Sequence, residues 1–273
     1  MKFNSLIQVG GRLLDLSIPQ VMGILNATPD SFFAVSRAQT EEAVCKRVEQ
    51  ILSEGGTMVD IGACSTRPGG ALATEAEERE RLQMALGVVR KEFPDVVISV
   101  DTFRPNVAKM AVEEFGVEII NDISGGDDYA DVINSDDMSS MFSMVSRLRV
   151  PYILMSSMNN IHDMIMEFAR KVQVLRSLGQ KDIIIDPGFG FGKTLDENYH
   201  ILNELNKLQI LGLPILVGVS RKRMIHQLLN ITPDEALNGT TVANTLALSK
   251  GASILRVHDV KEAVEAVRII HNL

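Results

Sequence analysis

The chain has 273 residues, 45% of them hydrophobic, which is close to the roughly 250 residues that one (β/α)8 barrel needs. Its net charge of −8 argues against nucleic acid as the main partner. Two cysteines are too few for a disulfide framework, and no apolar segment approaches the ~20 residues of a membrane span. The first residues lack the apolar segment of a signal peptide. We therefore expect a single domain over residues 1–273 that works in the cytoplasm, away from membranes.

The order of predicted elements indicates an α/β fold. Residues 6–9 and 12–16 flank Gly10 and Gly11, which predicts an N-terminal β-hairpin. Eight apolar strands follow, predicted at 21–26, 58–63, 96–101, 118–122, 151–155, 183–186, 214–220 and 252–258. Helices are predicted at about 40–54, after Thr74, from Pro105, and at about 138–147, 161–178, 196–208 and 260–271. This alternation predicts a (β/α)8 TIM barrel, with an open doubly wound sheet as the alternative.

The segment 183–193 is typical of a ligand-binding loop in an α/β enzyme. Its run of isoleucines predicts a strand buried on both faces, which delivers Asp186 to a loop of alternating glycines and phenylalanines. The glycines let the backbone approach a ligand, and the rings offer it flat faces. A nucleotide phosphate loop is excluded, because Pro187 stands where that motif requires glycine.

Polar residues end most of the predicted strands, and a barrel brings these ends together on the face that carries the active site. A first set consists of Asp101, Asn121, Asp186 and Lys222. Carboxylates and an amide are suited to a heterocycle with amidine-like N–H donors, and Lys222 is suited to a carbonyl or ring nitrogen. An Asp or Asn alone at such a place is often only a helix cap, so the combination predicts the site.

The second set of strand-end residues suits an anion. It consists of Asn26, Thr66, Arg67, Arg256 and His258. Arg256 and His258 are two residues apart on a strand, so both point to one side, and the following helix N-termini add N–H donors. The oxygen of Asn26 suits Mg²⁺ held mainly by water and substrate phosphate. The alternatives are a core histidine for His258 and a solvated basic patch for residues 221–223.

Seven motifs resemble, in the same order, those of the dihydropteroate synthases. They lie at 22–32, 65–69, 98–101, 120–124, 186–193, 217–222 and 256–259. The resemblance extends from about residue 20 to the end of the chain. It implies a folate-pathway transferase that joins 6-hydroxymethyl-7,8-dihydropterin diphosphate to p-aminobenzoate, with Mg²⁺, by dissociative loss of pyrophosphate. It also implies a homodimer and a target of sulfonamides.

The same resemblance assigns roles to individual residues. Those expected to hold the pterin are Asp101, Asn121, Asp186 and Lys222, with Met155 packing nearby. Gly218 and Ser220 are expected to bind substrate. Those expected at the diphosphate are Asn26, through Mg²⁺, with Arg67, Arg256 and His258. Those expected to border p-aminobenzoate are Thr66, Pro68, Phe191 and Lys222. Catalytic roles are expected for Asn26, Arg67, Asp101, Lys222, Arg256 and His258.

Three segments depart from the family's motifs. Ala34 stands at an acidic position within residues 33–37, Cys64 stands where the family often has glutamate, and the loop at 156–160 is short. We expect a preserved pterin pocket with altered affinity for p-aminobenzoate or sulfonamides.

Two other interpretations remain open at this point. A methyltetrahydrofolate:corrinoid methyltransferase would share the pterin floor but would not need the cations of a diphosphate pocket. A non-catalytic paralogue that binds pterin would account for the changed loops.

Overall fold

Short apolar segments form the strands of the computed structural model, which describes residues 5–28, 37–64, 73–126 and 140–273. The strands are β1 (Leu6–Val9), β2 (Arg12–Asp15), β3 (Gln20–Asn26), β4 (Met58–Gly62), β5 (Val97–Asp101), β6 (Ile119–Asp122), β7 (Tyr152–Met155), β8 (Ile183–Asp186), β9 (Leu216–Val217) and β10 (Ile254–Val257). The helices are α1 (Arg37–Ser53), α2 (Glu75–Glu92), α3 (Pro105–Phe115), α4 (Met141–Leu148), α5 (Ile161–Ser177), α6 (Leu195–Glu204), α7 (Arg223–Leu229), α8 (Leu237–Ser249) and α9 (Val260–His271).

The parallel strands close into a barrel, which confirms the predicted TIM-barrel architecture. Their order is β8-β7-β6-β5-β4-β3-β10-β9. The open ends meet where Ile185 forms a parallel bridge with Ile215, and the amide of Ile185 donates to the carbonyl of Pro214 at 2.9 Å. The predicted hairpin is also confirmed, because β1 and β2 pair antiparallel across Gly10 and Gly11.

The lower half of the barrel interior is apolar. One side chain from each barrel strand forms this layer, namely Met22, Met58, Val97, Ile119, Ile153, Ile184, Leu216 and Ile254. The hairpin covers the layer from below with Ile7, Val9 and Leu16, which are buried in the same cluster. Because side chains alternate along a strand, the next inward positions lie above this layer, towards the C-terminal ends of the strands. Polar interior residues therefore collect at one end of the barrel.

Several predicted helix boundaries were wrong. Helix α1 begins at Arg37 rather than at Thr40, which is buried inside it. The predicted helix 196–208 divides into α6 and a 3₁₀ helix, Leu205–Leu211. Helices α7 and α8 were missed, since α8 is rich in threonine and contains Gly239, residues of low helix propensity. Burial of Thr240, Ala243 and Ala247 against the barrel outweighs that preference.

No helix in the described parts of the chain combines the length and the apolar character that crossing a bilayer requires.

Candidate active site

The predicted strand-end residues that the structure describes lie on one rim of the barrel. Asn26, Asp101, Met155 and Asp186 are the last residues of their strands. Pairing places Asp101 beside Asn121, and Met155 beside Asp186. The rim therefore carries carboxylates and an amide on neighbouring strands, as expected of a site for a polar heterocycle.

Arg256 is the centre of a buried ion-pair network. Its Nε lies 2.6 Å from Oδ2 of Asp60, and its Nη2 lies 2.9 Å from Oδ2 of Asp101. Burial opposes the charge of Arg256, but the carboxylates of Asp60 and Asp101 raise its pKa above the usual range. Burial raises the pKa of Asp101 to about 7, against the opposing charge of Arg256. The guanidinium is thus a fixed cation held by two carboxylates.

The predicted contact of Arg256 with the diphosphate stays a prediction. In this structure its guanidinium contacts Asp101, which the sequence placed in the heterocycle set. The reason is that an arginine inside a barrel pairs with the nearest carboxylates, and an unpaired carboxylate there would be costly. Asp60, which contributes the shorter contact, was not predicted as a site residue.

Lys222 and Asp186 form the opposite side of the rim. Asp186 is buried and accepts a hydrogen bond from the amide of Gly188 at 2.8 Å. The ammonium of Lys222 donates to the carbonyl of Phe189 and lies 4.6 Å from the ring centre of Phe191. Burial raises the pKa of Asp186 and lowers that of Lys222 to about 8, and their attraction opposes both shifts. Lys222 therefore carries a proton at neutral pH.

Lys193 is a second buried cation that sequence reasoning missed. Its Nζ donates to the carbonyl of Gly188 at 2.9 Å and to that of Ser156 at 3.2 Å. Burial lowers its pKa to about 8. Gly188 has a φ of +64°, and a Cβ there would lie 2.2 Å from the carbonyl oxygen of Ser156. Lys193 thus holds the glycine-rich loop against the end of β7.

His258 and Ser220 contact each other at the rim. Oγ of Ser220 lies 3.1 Å from Nδ1 of His258 and accepts from the backbone N–H of His258 at 3.1 Å. Burial, together with the charge of Arg256, lowers the pKa of His258 to about 4. The imidazole is therefore neutral at physiological pH, and it can contribute a hydrogen bond to an anion rather than a charge.

Only one cation of residues 221–223 faces the site. Arg221 is used structurally, since its Nε and Nη2 lie 2.9 and 2.7 Å from the two carboxylate oxygens of Asp259. Arg223 is exposed at the start of α7. The local basic run therefore contributes Lys222 to the rim and leaves its two neighbours outside.

Gly218 lies next to Arg256. A Cβ at Gly218 would lie 3.8 Å from the Cβ of Arg256, which is an ordinary van der Waals contact, so packing against the arginine does not require glycine there. The same holds on β4, where a Cβ at Gly62 would lie 3.5 Å from the Cβ of Asp101.

Comparisons with known proteins agree with this geometry. The sequence model of the family described as pterin binding enzyme matches residues 22–258. Dihydropteroate synthase of Escherichia coli K12 is 37% identical over 277 aligned positions, which cover 95% of this chain and 93% of that protein. The chain belongs to the dihydropteroate synthase family.

Solved structures of the same family superimpose over nearly the whole chain. Xanthomonas albilineans dihydropteroate synthase with 4-aminobenzoic acid has a TM-score of 0.85 and 33% identity, covering 98% of this chain and 97% of that one. The Yersinia pestis dihydropteroate synthase with a sulfonamide drug has a TM-score of 0.84 and 35% identity, covering 98% of both chains. Members of this family are transferases of folate synthesis, so the predicted family and enzyme class are confirmed.

Part of the family's motif set falls outside the described residues. Thr66, Arg67 and Pro68 lie in that part of the chain, as does Ala34, so their predicted roles stay predictions. Cys64 is a free, partly buried thiol at the end of β4. Two side chains of the short loop after β7 form hydrogen bonds: the hydroxyl of Ser156 donates to Glu167, and Asn160 caps the N-terminus of α5.

One cavity among the described residues lies away from this rim. It has a volume of about 660 Å³ and lies at the other end of the barrel, between the hairpin and the end of α4, with Gly11, Glu118 and Arg149 on its wall. Barrel enzymes of this kind carry their chemistry at the C-terminal ends of the strands. We therefore assign the active site to the polar rim, where the titratable groups converge.

Proposed function

We propose that this chain condenses 6-hydroxymethyl-7,8-dihydropterin diphosphate with p-aminobenzoate, giving 7,8-dihydropteroate and pyrophosphate. The observation that carries the proposal is the rim on which Asp101, Asn121 and Asp186 meet the cations Arg256 and Lys222. Acceptors and fixed cations at this spacing suit a bicyclic ring with several N–H donors and ring acceptors.

The pterin is held by acceptors below and beside it. Asn121 keeps its Oδ1 without a partner in the free protein although the atom is buried, so it is available to an N–H of a ligand. Asp186 offers carboxylate oxygens, and the ammonium of Lys222 beside it donates to the ring carbonyl or a ring nitrogen. Met155 is buried at the end of β7 and supplies an apolar wall for the flat ring.

The diphosphate lies at the edge of the rim. His258 and Ser220 face it as hydrogen-bonding groups, and Arg67 supplies charge by its position in the family motif. Asn26 is half-buried at the end of β3, and no side-chain hydrogen bond to it is found among the described residues. A single amide oxygen fits Mg²⁺ that takes its other ligands from water and phosphate, and the described residues hold no carboxylate or histidine cluster for a fully protein-bound ion.

The reaction then needs no covalent nucleophile from the protein. The bond between the methylene carbon and the diphosphate oxygen breaks, and its electron pair leaves with pyrophosphate. When bound, Mg²⁺ supplies charge neutralisation to that leaving group. The carboxylates of Asp101 and Asp186 stabilise the positive charge left on the pterin. The amine of p-aminobenzoate forms the new C–N bond and releases a proton to solvent, in a pocket bordered by Thr66, Pro68, Phe191 and Lys222.

Pyrophosphate release tests this function. With the pterin diphosphate, Mg²⁺ and p-aminobenzoate we expect stoichiometric pyrophosphate and dihydropteroate. An Asp186→Asn variant should be about 100- to 1000-fold slower, because one stabilising group is lost. Tight pterin binding without any pyrophosphate release would favour the non-catalytic paralogue. Pterin binding that pyrophosphate plus Mg²⁺ does not affect would favour the methyltransferase alternative.

We infer further that the chain forms a homodimer through α7 and α8. Leu228 and Leu229 of α7 are 53% and 49% exposed, and Val242 and Leu246 of α8 are 55% and 45% exposed. Val242 and Leu246 are four residues apart, so they share one side of the helix. Apolar side chains grouped in this way suit a self-complementary twofold interface.

The dimer is tested by changing its apolar side chains to charges. The double variant Val242→Asp, Leu246→Asp should sediment as a single chain, whereas the unmodified protein sediments as two. Ile210→Asp is the matched control, because Ile210 is 78% exposed in the 3₁₀ helix Leu205–Leu211. A monomeric unmodified protein, or a control that also dissociates, would contradict the assigned interface.

The setting of the reaction is the cytoplasm in this proposal. Cys45 and Cys64 are both free thiols, which suits a reducing compartment. Whether the changes at residues 33–37, 64 and 156–160 alter the affinity for p-aminobenzoate or sulfonamides stays a prediction, and steady-state kinetics with both substrates measures it.

A further inference from the structure

Asp60 is a buried carboxylate that lies inside the barrel, just below the rim. On β4, alternation gives Met58, Asp60 and Gly62 the same interior side. Met58 belongs to the apolar layer, and Gly62 has no side chain, so Asp60 is the only polar group that this strand sends into the barrel among its described residues. Its side chain is 0% exposed. A carboxylate at that depth is tolerated only when other groups satisfy it.

Two residues assigned to the substrate satisfy Asp60. Arg256 donates from Nε at 2.6 Å, and Asn121 donates from Nδ2 at 3.3 Å to one carboxylate oxygen and 3.4 Å to the other. Arg256 and Asn121 lie on strands that are not neighbours of each other. A single carboxylate therefore connects both sides of the site.

The contact with Asp60 decides how Arg256 is presented. Nε donates to Asp60 and Nη2 to Asp101, so two carboxylates hold the side of the guanidinium that these nitrogens share, and its plane is fixed. Nη1, for which no hydrogen bond is found among the described residues, is left for the ligand. With Asp101 alone, the guanidinium would keep one contact and gain freedom to rotate about its long side chain.

The contact with Asp60 also decides which end of the Asn121 amide faces the ligand. The amide turns its NH₂ group towards Asp60, whose carboxyl oxygens accept from it. Its oxygen then faces away, and Oδ1 of Asn121 is indeed buried without a partner. An oxygen in that place accepts from an N–H group and rejects a ring that presents an acceptor there.

We propose that Asp60 is a positioning residue that sets the hydrogen-bonding polarity of Asn121 and the orientation of Arg256, and thereby selects a heterocycle with an N–H donor at Asn121. This role rests on the proposed function, since the pterin is the heterocycle in question. Asp60 acts through its two neighbours and does not touch the ring itself.

The test compares Asp60→Asn with a matched variant in direct binding of 6-hydroxymethylpterin. An asparagine at position 60 has the same shape but no longer forces the orientation of Asn121. We expect pterin affinity to fall about 10- to 100-fold, as for loss of a hydrogen bond to a charged group. The KM for p-aminobenzoate at saturating pterin diphosphate should change less than about twofold.

Asp122→Asn is the matched control, because Asp122 is an equally buried carboxylate whose partners are Tyr152 and Ser124 rather than Arg256 or Asn121. It should lower thermal stability without a selective loss of pterin affinity. Unchanged pterin affinity in Asp60→Asn, or an equal loss in Asp122→Asn, would overturn the inference. Failure of the unmodified protein to bind pterin would instead count against the proposed function.

The exchange variant Asp60→Asn, Asn121→Asp keeps one carboxylate and one amide at these positions, and it remains informative if Asp60→Asn alone does not fold. In the exchange variant, Asn at 60 donates to Asp at 121 and accepts from Arg256, so an oxygen still faces the ligand. We expect pterin affinity within about tenfold of the unmodified protein. A folded exchange variant that no longer binds pterin would contradict the assigned role.

Discussion

Replacing Arg256 by methionine is expected to lower the free energy of unfolding by about 3–5 kcal/mol at neutral pH. Methionine fills part of the same volume but leaves Asp60 and Asp101 without the cation that lies 2.6 and 2.9 Å from them. Asp60 is fully buried, so water cannot replace the lost charge. Urea unfolding measures the change, and pyrophosphate release should fall with it, because the pterin site loses its fixed cation.

The destabilisation should shrink as the pH falls. The charge of Arg256 is the strongest interaction that lowers the pKa of Asp101, which is about 7 with the arginine present. Without Arg256 that pKa rises, so Asp101 takes up a proton at neutral or mildly acidic pH and no longer leaves an unpaired charge. The deficit relative to the unmodified protein should therefore be smaller at pH 5 than at pH 8.

Arg221→Met is the matched control for this variant. Arg221 also binds a carboxylate with two nitrogens, but its partner Asp259 is 15% exposed, whereas Asp60, a partner of Arg256, is 0% exposed. We expect a cost of about 1 kcal/mol or less. If Arg256→Met were no more destabilising than Arg221→Met, the two carboxylates in the barrel would not depend on the arginine, and the network described above would be wrong.

The sequence predicts which residues lie at the rim, because barrel topology brings the C-terminal ends of the strands together. Asp101 and Asp186 each close an apolar strand, and the C-terminal ends of parallel strands meet at one face. The order of motifs then predicts the family. Neither prediction depends on an interatomic distance, so both can be made from the sequence alone.

The interior partners of the rim could not be predicted in the same way. Asp60 stands in mid-strand between valine and isoleucine, where sequence indicates only a buried strand. Its signal was present: a buried carboxylate requires a cation, and Arg256 is the cation in the middle of another apolar strand. Which interior side chains meet depends on strand order and register: only β3 separates β4 from β10, so Asp60 and Arg256 come into contact.

Lys193 was missed for a related reason. It follows the glycines of the 186–193 loop, and sequence reasoning considered it only as part of a phosphate loop, which Pro187 excludes. The structure shows its ammonium bound to the carbonyl of Gly188 in that loop and to that of Ser156 after β7. Contacts between a side chain and backbone carbonyls leave no pattern of residue types, so they are found only from coordinates.

Replacing Lys222 by methionine is expected to lower kcat/KM by about 100- to 1000-fold. The ammonium lies beside Asp186, bound to the carbonyl of Phe189 and 4.6 Å from the ring centre of Phe191. In the proposed site it lies where the pterin and p-aminobenzoate pockets meet. Without it, the buried carboxyl of Asp186 loses its strongest attraction to a cation and its pKa rises further, which disfavours the charged form that binds the pterin. Arg223→Met, which removes the exposed neighbouring cation, should leave kcat/KM within about twofold.

The pH profile separates a charge requirement from a packing requirement. Burial lowers the pKa of Lys222 to about 8, so the ammonium is lost as the pH rises through that value and activity should decline there. Lys222→Arg keeps the charge at every accessible pH, and although its planar group fits the site less well, the alkaline decline should disappear. Lys193 also has a pKa of about 8, from the same cause. If the decline persisted in Lys222→Arg and vanished in Lys193→Arg, the group that titrates would be the one that holds the loop, and Lys222 would not be the cation on which the chemistry depends.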